Sequence, residues 1–494
     1  MRIHGRDDPS LSTPRRNDQT HSARSALTKP VVIGCFLTTT VFLSIFTFVN
    51  RNETLSSTSS LIAFGLIAFG LLPAVHFLFL PTHERPRFPL AVLTGLFYTL
   101  FFGISVFLIE VLWRVSPDRV VYYQLPSPVY IDDYSMLAGF TGTALLISAY
   151  LIMRRRVAAA LPLFKVLSNP DWAIIRFLTW FLIFGLLMHQ YYPAFIPISS
   201  WKAFIFPAGI TAIAIMYYML RTKRLFWWES LAFIFLVFPL FLTKILLTVS
   251  LTPLILIGIV WGAIELLVTR TLPWKLITIL LLVVVLIYPL MNKLRGELWQ
   301  VERDQSNIET LSSAAKIIGD FYGLSLGKST TSFNIEPGSR QSFEGLVTRI
   351  SHQLMLSRII QKTPSEVPFW SGKTYLPLLT KFIPRVFWPE KPLENFGNQF
   401  GHRYGFLLKS NTQMSINIPW LPELFANFGW YGLIFGMSFF GFLIAVLEHF
   451  FSSSRLGELE SVIGITIISP VFFQDSNFSN MMGNIPLLVL TLWI

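Results

Sequence analysis

The sequence predicts an all-α protein: a polytopic transmembrane helix bundle of about 11–12 spans, with one large extracytoplasmic loop that contains short amphipathic helices. Of its 494 residues, 53% are hydrophobic and only 13% are charged. Soluble domains carry nearly twice that charged fraction. Several apolar windows of about 20 residues are long enough to cross a hydrocarbon core of roughly 30 Å. These observations together indicate that most of the chain is embedded in a membrane.

The positive charges indicate how the chain is oriented. Its formal net charge is +12, and the basic residues cluster at the ends of the apolar windows, as the positive-inside rule expects. They therefore favour a lipid bilayer, and not nucleic acid, as the partner of the chain. With the N-terminus in the cytoplasm, the cytoplasmic loops hold Arg85, Arg87, Arg154, Arg155, Arg156, Lys165, Arg221, Lys223, Arg224, Arg270 and Lys275. Arg114 and Arg119, in an outer loop, are a mild exception.

Four regions follow from this pattern. Residues 1–30 are polar, basic and rich in Ser, Thr and Pro, which is typical of a disordered cytoplasmic tail. Residues 31–292 hold about nine spans, and residues 425–494 hold the C-terminal spans. Residues 293–424 form the large loop, which the charges place on the extracytoplasmic side. A loop of that length in a compact protein is usually functional.

The elements can be predicted in order along the chain. The apolar windows predict spans at 31–49, 61–80, 89–112, 134–153, 173–192, 201–220, 226–243, 246–269, 276–292, 425–450, 461–477 and 479–494. Pro470 and the polar residues 474–480 interrupt the last two. In the loop, residues 308–323 and 342–361 predict helices, and the second is amphipathic, which suits the membrane surface or the bundle. Asp133 and Asp171 suit helix N-caps.

Cysteine and histidine usage argues against two kinds of site. The single cysteine, Cys35, cannot form a disulfide within the chain. The eight histidines show no His-x-x-x-His spacing, and no Cys-x-x-Cys is present, so we expect no metal site built by the protein.

Phe382–Pro392, FIPRVFWPEKP, holds the first candidate residues. The prolines on both sides of Arg385 leave its backbone few conformations, and a pre-ordered guanidinium suits phosphate or carboxylate recognition. Lys391 suits the same anion site as a point charge, and Trp388 suits stacking on a sugar face. Equally ordinary roles are a salt bridge between Arg385 and Glu390, and an aromatic-belt position for Trp388.

Further candidates flank this segment. His402 and Arg403 lie between two glycines, and His402 is a candidate proton acceptor. Glu423 lies where the chain re-enters the membrane, and it suits either a general base or a first-turn carboxylate that the helix dipole stabilises. Arg349 lies three residues before His352, so that both share one helix face. Lys244 lies near the outer end of a span, where snorkelling is the alternative to a function. Asp132 and Asp133 suit capping and solvation better than metal binding.

The run Thr363–Pro392 resembles a stretch of bacterial oligosaccharide repeat-unit polymerases of the Wzy type, the O-antigen and exopolysaccharide polymerases. Pro422–Gly432, PELFANFGWYG, resembles the next recurring element of that family. The resemblance is strong over residues 345–445 and only architectural over the first 290. Such enzymes often carry an Arg in the hairpin before the large loop, where this chain has Lys244.

The resemblance implies a membrane glycosyltransferase related to the GT-C superfamily and located in the bacterial inner membrane. Its donor and acceptor would be undecaprenyl-diphosphate-linked oligosaccharides, joined at the periplasmic face without metal or nucleotide cofactor. In this interpretation the diphosphate is bound by Arg385, Arg403, Arg349, Lys391 and Lys244. Trp388 stacks on a sugar, and Glu423 or His402 accepts the proton. Whether a polysaccharide chain-length regulator binds as well is left open by the sequence.

Two other functions stay open. An O-antigen ligase would use the same kind of donor with another acceptor. A transporter or flippase of lipid-linked glycans would show charges at the bilayer midplane and broken helices, whereas the sequence gathers its charges in one outer loop.

Overall fold

The computed structural model describes residues 55–81, 84–115, 129–162, 170–191, 199–247, 252–269, 347–380, 395–409, 415–453 and 456–483, together with isolated residues between these ranges. In this part of the chain every regular element is helical, which confirms the predicted all-α class. The N-terminal tail, the first predicted span, the span at 276–292 and the helix at 308–323 lie outside the described residues, apart from single positions.

Thirteen helices are labelled here in chain order. They are α1 (Ser57–Phe79), α2 (Leu90–Tyr98, π-helical Thr99–Ile104, Ser105–Val115), α3 (Asp133–Ala160), α4 (Trp172–Tyr191), α5 (Ser199–Arg221), α6 (Trp227–Ala232, π-helical Phe233–Val237, Phe238–Leu247), α7 (Thr252–Thr269), α8 (His352–Lys362), α9 (Phe396–Tyr404), α10 (Trp420–Tyr431), α11 (π-helical Gly432–Gly436, Met437–Ser452), α12 (Glu458–Phe472) and α13 (Phe478–Met482).

Length and composition make the chain a multi-pass membrane protein. Five helical stretches are long and apolar enough to cross a bilayer: Ser57–Phe79, Leu90–Trp113, Asp133–Ala160, Trp172–Tyr191 and Trp420–Ser452. Three shorter apolar helices occur within α5, α6 and α7. Large apolar side chains on α4, such as Phe177 and Phe181, are exposed, as expected of a helix whose outer face meets lipid.

Glycines set the closest helix contacts of the bundle. α3 packs along α11, with α1 and α2 beside them. At Gly441 on α11 the backbones are so close that a Cβ there would overlap the Leu146 carbonyl oxygen of α3. Small residues at such crossings permit the close backbone approach on which helix association in membranes depends.

The basic loops meet at one end of the bundle. Arg154 donates to the Glu84 carbonyl oxygen at 3.0 Å, and the Arg87 backbone N–H donates to the Ser452 carbonyl oxygen at 2.7 Å. Arg224 pairs with Glu458 at 3.7 Å. The loops that the charge pattern assigns to the cytoplasm therefore share one end of the bundle.

One capping prediction is confirmed and one is wrong by a residue. Asp171 caps α4, because its Oδ1 accepts from the Ala173 N–H at 2.9 Å. α3 begins at Asp133, and the cap is Asp132, whose Oδ1 accepts from the Ser135 N–H at 2.8 Å. The Asp133 side chain instead accepts from the hydroxyl of Ser59 on α1 and from that of Ser56, the N-cap of α1. The roles of this pair are capping and helix contact.

The predicted span 425–450 corresponds mainly to α11, and its first residues belong to α10, a separate helix that forms a hairpin with α11. Gly429 has φ 60° and ψ −140°, a conformation that only glycine adopts readily, and it breaks the helix there. α10 then lies antiparallel to the start of α11: the rings of Trp420 and Phe440 are 4.7 Å apart, and a Cβ at Gly436 would overlap Leu424. Hydropathy cannot distinguish such a hairpin from one long span, because both are apolar throughout.

The described part of the predicted amphipathic helix 342–361 packs inside the bundle. Its described part consists of helical residues 347–350, a break at Ser351, and α8. Residues 352–360 are all buried, against α3, α10 and the π-helical turn of α2. Whether residues 293–424 otherwise form a loop outside the membrane stays a prediction.

Candidate functional site

Three breaks in the helical backbone meet midway along α2. They are the start of α8 at His352, the non-helical residues 415–419 before α10, and the turn 473–477 between α12 and α13. The predicted span 461–477 ends early, since α12 stops at Phe472. Non-helical backbone at membrane depth is tolerated only where protein buries it or where it lines a cavity. This region is therefore where the bundle departs most from simple helix packing.

A histidine–aspartate pair occupies the meeting point. The Nε2 of His352 lies 2.9 Å from the Oδ1 of Asp475. The histidine is only 1% exposed, and the Asp475 side chain is 13% exposed. Ionisable groups inside a membrane protein usually mark functional positions, because their burial is costly unless they are paired.

The pair fixes the tautomer of the imidazole. A carboxylate only accepts hydrogen bonds, so the Nε2 of His352 carries the proton that Asp475 receives. In the neutral ring the lone pair then belongs to Nδ1. This atom is buried and has no hydrogen-bond partner among the described residues. An imidazole oriented by a carboxylate, with its second nitrogen free, is the arrangement that general bases share.

Aromatic rings of α2 enclose the imidazole. Its centroid lies 5.6 Å from that of Phe97, 4.6 Å from that of Phe101 and 5.7 Å from that of Phe102. Such an apolar surrounding strengthens the hydrogen bond to Asp475, since the local dielectric is low. It also keeps bulk water from competing for Nδ1.

Amides complete the surroundings of Asp475. Its second oxygen, Oδ2, accepts from the Asn417 side chain at 3.3 Å. The neighbouring Gln474 is fully buried, and its Oε1 accepts from the Tyr98 hydroxyl of α2 at 2.6 Å. The turn 473–477 is thereby tied both to residues 415–419 and to α2.

Glu423 lies on the other side of the same turn. It is fully buried on α10, and its Oε2 accepts from the Phe478 N–H at 2.7 Å. The Thr374 hydroxyl lies against the same carboxyl group. Burial first, and then the charge of Glu423, raise the pKa of Tyr375 well above its usual range, so that this hydroxyl stays protonated.

Residues 368–374 join Glu423 to Arg403. The Trp370 N–H donates to the Ala426 carbonyl oxygen at 3.0 Å, and the Gly372 N–H donates to the Asn427 side chain at 2.9 Å. The Arg403 guanidinium lies 4.5 Å from the Trp370 ring centroid and donates to the Pro368 carbonyl oxygen at 2.7 Å. Arg403 and Glu423 thus contact the two ends of one short segment, Arg403 at Pro368 and Glu423 at Thr374.

The other predicted residues divide into three groups. His402 is half-buried beside Arg403 on α9, and its Nδ1 has no partner among the described residues. Arg349 and Trp388 are half-buried. The structure does not describe Arg385, Lys391 or the side chain of Lys244. In the described part of the chain, no three His, Cys, Asp or Glu residues lie together as a metal site would require, and the absence of a metal elsewhere stays a prediction.

Asp475 is the residue that the sequence reasoning missed. It lies in the polar stretch 474–480, which interrupts an apolar window and was interpreted as weakening a predicted span. An aspartate inside an apolar window is itself a signal of function. The sequence predicts that His352 shares a helix face with Arg349, but nothing local to residue 352 indicates a partner more than a hundred residues away.

A family described as "Domain of unknown function (DUF8712)" matches residues 177–485, which is more than half of the chain. No curated protein and no solved structure matches this chain. The matched region runs from α4 to α13 and contains His352, Asn417, Glu423 and Asp475, whereas the aromatic residues of α2 precede it.

Proposed function

The chain belongs to the DUF8712 family, and since that description names no activity, we propose a function from the site: a membrane glycosyltransferase that polymerises undecaprenyl-diphosphate-linked oligosaccharide repeat units. The site faces the periplasm of a bacterial inner membrane in this proposal. The likeness of Thr363–Pro392 to Wzy-type polymerases supports the substrate class.

The observation that carries the proposal is the His352–Asp475 pair. Glycosyl transfer to a hydroxyl needs a proton acceptor. The Nδ1 of His352 carries a lone pair and has no hydrogen-bond partner among the described residues. Its position midway along α2 suits a donor whose polyprenyl tail stays in the bilayer while its diphosphate reaches a protein cleft.

The chemical step follows from these roles. The hydroxyl oxygen at the end of one lipid-linked unit attacks the anomeric carbon of another, and its proton passes to Nδ1 of His352. The bond between the anomeric carbon and the diphosphate oxygen breaks, and undecaprenyl diphosphate leaves with the electron pair. Asp475 stabilises the imidazolium that forms. Because His352 is buried, binding of the acceptor requires the start of α8 to move away from α2.

Cations are needed where the diphosphate leaves, because fixed charges in a poorly solvated cleft stabilise developing negative charge far better than water does. Arg385 remains the first candidate, with Lys391, Arg349, Arg403 and Lys244 behind it. Trp388 remains the candidate for sugar stacking. Among the proton acceptors proposed from the sequence, His402 is an alternative to His352.

The orientation of the chain has a direct test. In a Cys35→Ser background, we expect a cysteine at exposed Glu366 to react with an impermeant maleimide in intact spheroplasts. A cysteine at exposed Arg156, at the basic end of the bundle, should react only after lysis. Equal labelling of both before lysis would contradict the predicted orientation.

The polymerase function is tested by deletion of the gene in its host and electrophoresis of the surface polysaccharide. We expect the ladder to disappear while single repeat units are still exported, and wild type but not Arg385→Ala to restore it at matched membrane levels. A ladder that persists on its lipid carrier would instead indicate a ligase.

One observation favours a transporter as the second candidate. The His352–Asp475 pair lies among broken helices midway along a span, and transporters place ion and substrate sites in such positions. In that case the deletion strain would hold its repeat units on the cytoplasmic side.

A further inference from the structure

Glu423 already serves as a hydrogen-bond acceptor within the protein. The side chain is fully buried, and the rings of Trp420 and Phe478 lie 5.0 Å apart beside it on α10 and α13. Its Oε2 is already the acceptor for a backbone N–H. Its Oε1 has no hydrogen-bond partner among the described residues, so burial by itself does not separate a base from a structural acceptor.

The carboxyl group of Glu423 fixes the end of the turn that carries Asp475. Phe478 is the first residue of α13, and its N–H donates to Glu423 at 2.7 Å. Asp475 precedes it by three residues. The first N–H groups of a helix have no intrahelical acceptor, so Glu423 serves α13 as a cap supplied by another helix.

A second bond ties the same helix to the segment beside Glu423. The Ser479 hydroxyl donates to the Thr374 carbonyl oxygen at 2.6 Å, and Thr374 accepts from the Asn427 side chain at 2.9 Å. α10, residues 370–374 and the start of α13 are therefore one connected unit. At the other end of the turn, the Asp475 N–H donates to the Phe473 carbonyl oxygen at 2.8 Å.

We propose that Glu423 is a positioning residue: by accepting the Phe478 N–H it holds the turn 473–477 so that Asp475 meets His352. This inference rests on the proposed function, in which His352 takes the proton. It requires a hydrogen-bond acceptor at position 423 and does not require a charge there, which separates it from the role of a base.

The test compares Glu423→Gln with Glu423→Leu in the deletion strain, with polymer ladders measured at matched membrane levels. Glutamine keeps a carbonyl oxygen for the Phe478 N–H, so we expect activity within about threefold of wild type. Leucine removes the acceptor, and we expect a loss of tenfold or more. The double variant Glu423→Leu/Asp475→Asn should be no less active than Asp475→Asn alone, since residues that act through one another are not additive.

The pH profile gives a readout that mere destabilisation would not move. Repeat units extracted from the deletion strain, added to membranes, provide the substrate. We expect Glu423→Leu to change the pH dependence of the elongation rate, while Glu423→Gln leaves it as in wild type. Glu448→Gln is the matched control, because Glu448 is also buried and also accepts a backbone N–H, that of Ala91 at 3.2 Å. It should leave the pH profile unchanged.

The outcomes separate the two proposals. A loss with Glu423→Gln as large as that with Glu423→Leu would overturn the positioning role and make Glu423 a base. If Glu423→Leu does not accumulate, Glu423→Asp takes its place, since it keeps the charge but is one methylene too short to reach Phe478. A wild-type arm that forms no ladder would refute the polymerase function itself.

Discussion

Replacement of His352 by glutamine is expected to lower polymer formation by about a hundredfold or more, the usual contribution of a general base. Glutamine keeps an N–H donor for Asp475 but has no basic nitrogen in place of Nδ1. The protein should therefore fold and reach the membrane while the chemical step fails. The measurement is the rate at which membranes elongate repeat units extracted from the deletion strain.

Asp475→Asn should give a loss of similar size for a different reason. An asparagine oxygen still accepts from Nε2, but the amide no longer stabilises an imidazolium and its N–H group can select the wrong tautomer. Because the two residues act as one unit, the double variant should be about as active as the weaker single variant.

His449→Gln is the matched control for both variants. His449 lies on α11, and its Nε2 is 3.0 Å from the Leu161 carbonyl oxygen at the end of α3. This contact is away from the three backbone breaks, so we expect near wild-type rates. If His352→Gln were as active as His449→Gln, the pair would have no part in the reaction, and His402 would become the first candidate for the proton acceptor.

The sequence predicted the helices better than it predicted their interruptions. Apolar windows identified α1 to α5 closely, apart from the C-terminal end of α3, which continues past the predicted window to Ala160, because a bilayer imposes one length and one composition on every span. The break at Gly429 leaves the apolar composition unchanged, so the window 425–450 merged α10 with α11. The hairpin is revealed by the backbone angles of Gly429 and by the contacts between α10 and α11.

The site was predicted in part for a related reason. Glu423 and His402 could be selected from their local sequence, because Glu423 is a lone carboxylate at the start of an apolar stretch and His402 lies between two glycines. His352 and Asp475 are far apart along the chain, and their contact depends on where α8 and the turn 473–477 enter the bundle. No pattern in a single sequence encodes that proximity, although the aspartate in an apolar window was a usable signal.

The aromatic box of α2 shows the same limit. The sequence predicts ordinary lipid-facing or core positions in a span for Phe97, Phe101 and Phe102, since their spacing fits both kinds of position. Their role around His352 follows from a π-helical turn at Thr99–Ile104, and such turns are frequent at functional sites. A sequence window does not predict where a helix will widen by one residue.

Gly441→Ala is expected to destabilise the bundle strongly, by about 1–3 kcal/mol or more, as overpacking of a tight contact does. The added Cβ would overlap the Leu146 carbonyl oxygen and lie 2.9 Å from the Ala149 Cβ and 3.0 Å from the Tyr150 nitrogen. Two of these atoms are backbone and cannot turn aside. The measurement is the unfolding temperature of the purified protein in detergent, which we expect to fall by several degrees.

Gly185→Ala is the control that isolates packing from helix propensity. Alanine favours a helix over glycine by about 1 kcal/mol at either position, but at Gly185 on α4 a Cβ would meet nothing within 4 Å. Its unfolding temperature should stay equal or rise. Equal behaviour of the two variants would show that α3 and α11 are not held at backbone contact. Gly142 of α3 packs against Leu421 on α10, the helix that carries Glu423. A displacement of α3 in Gly441→Ala would therefore also disturb the site.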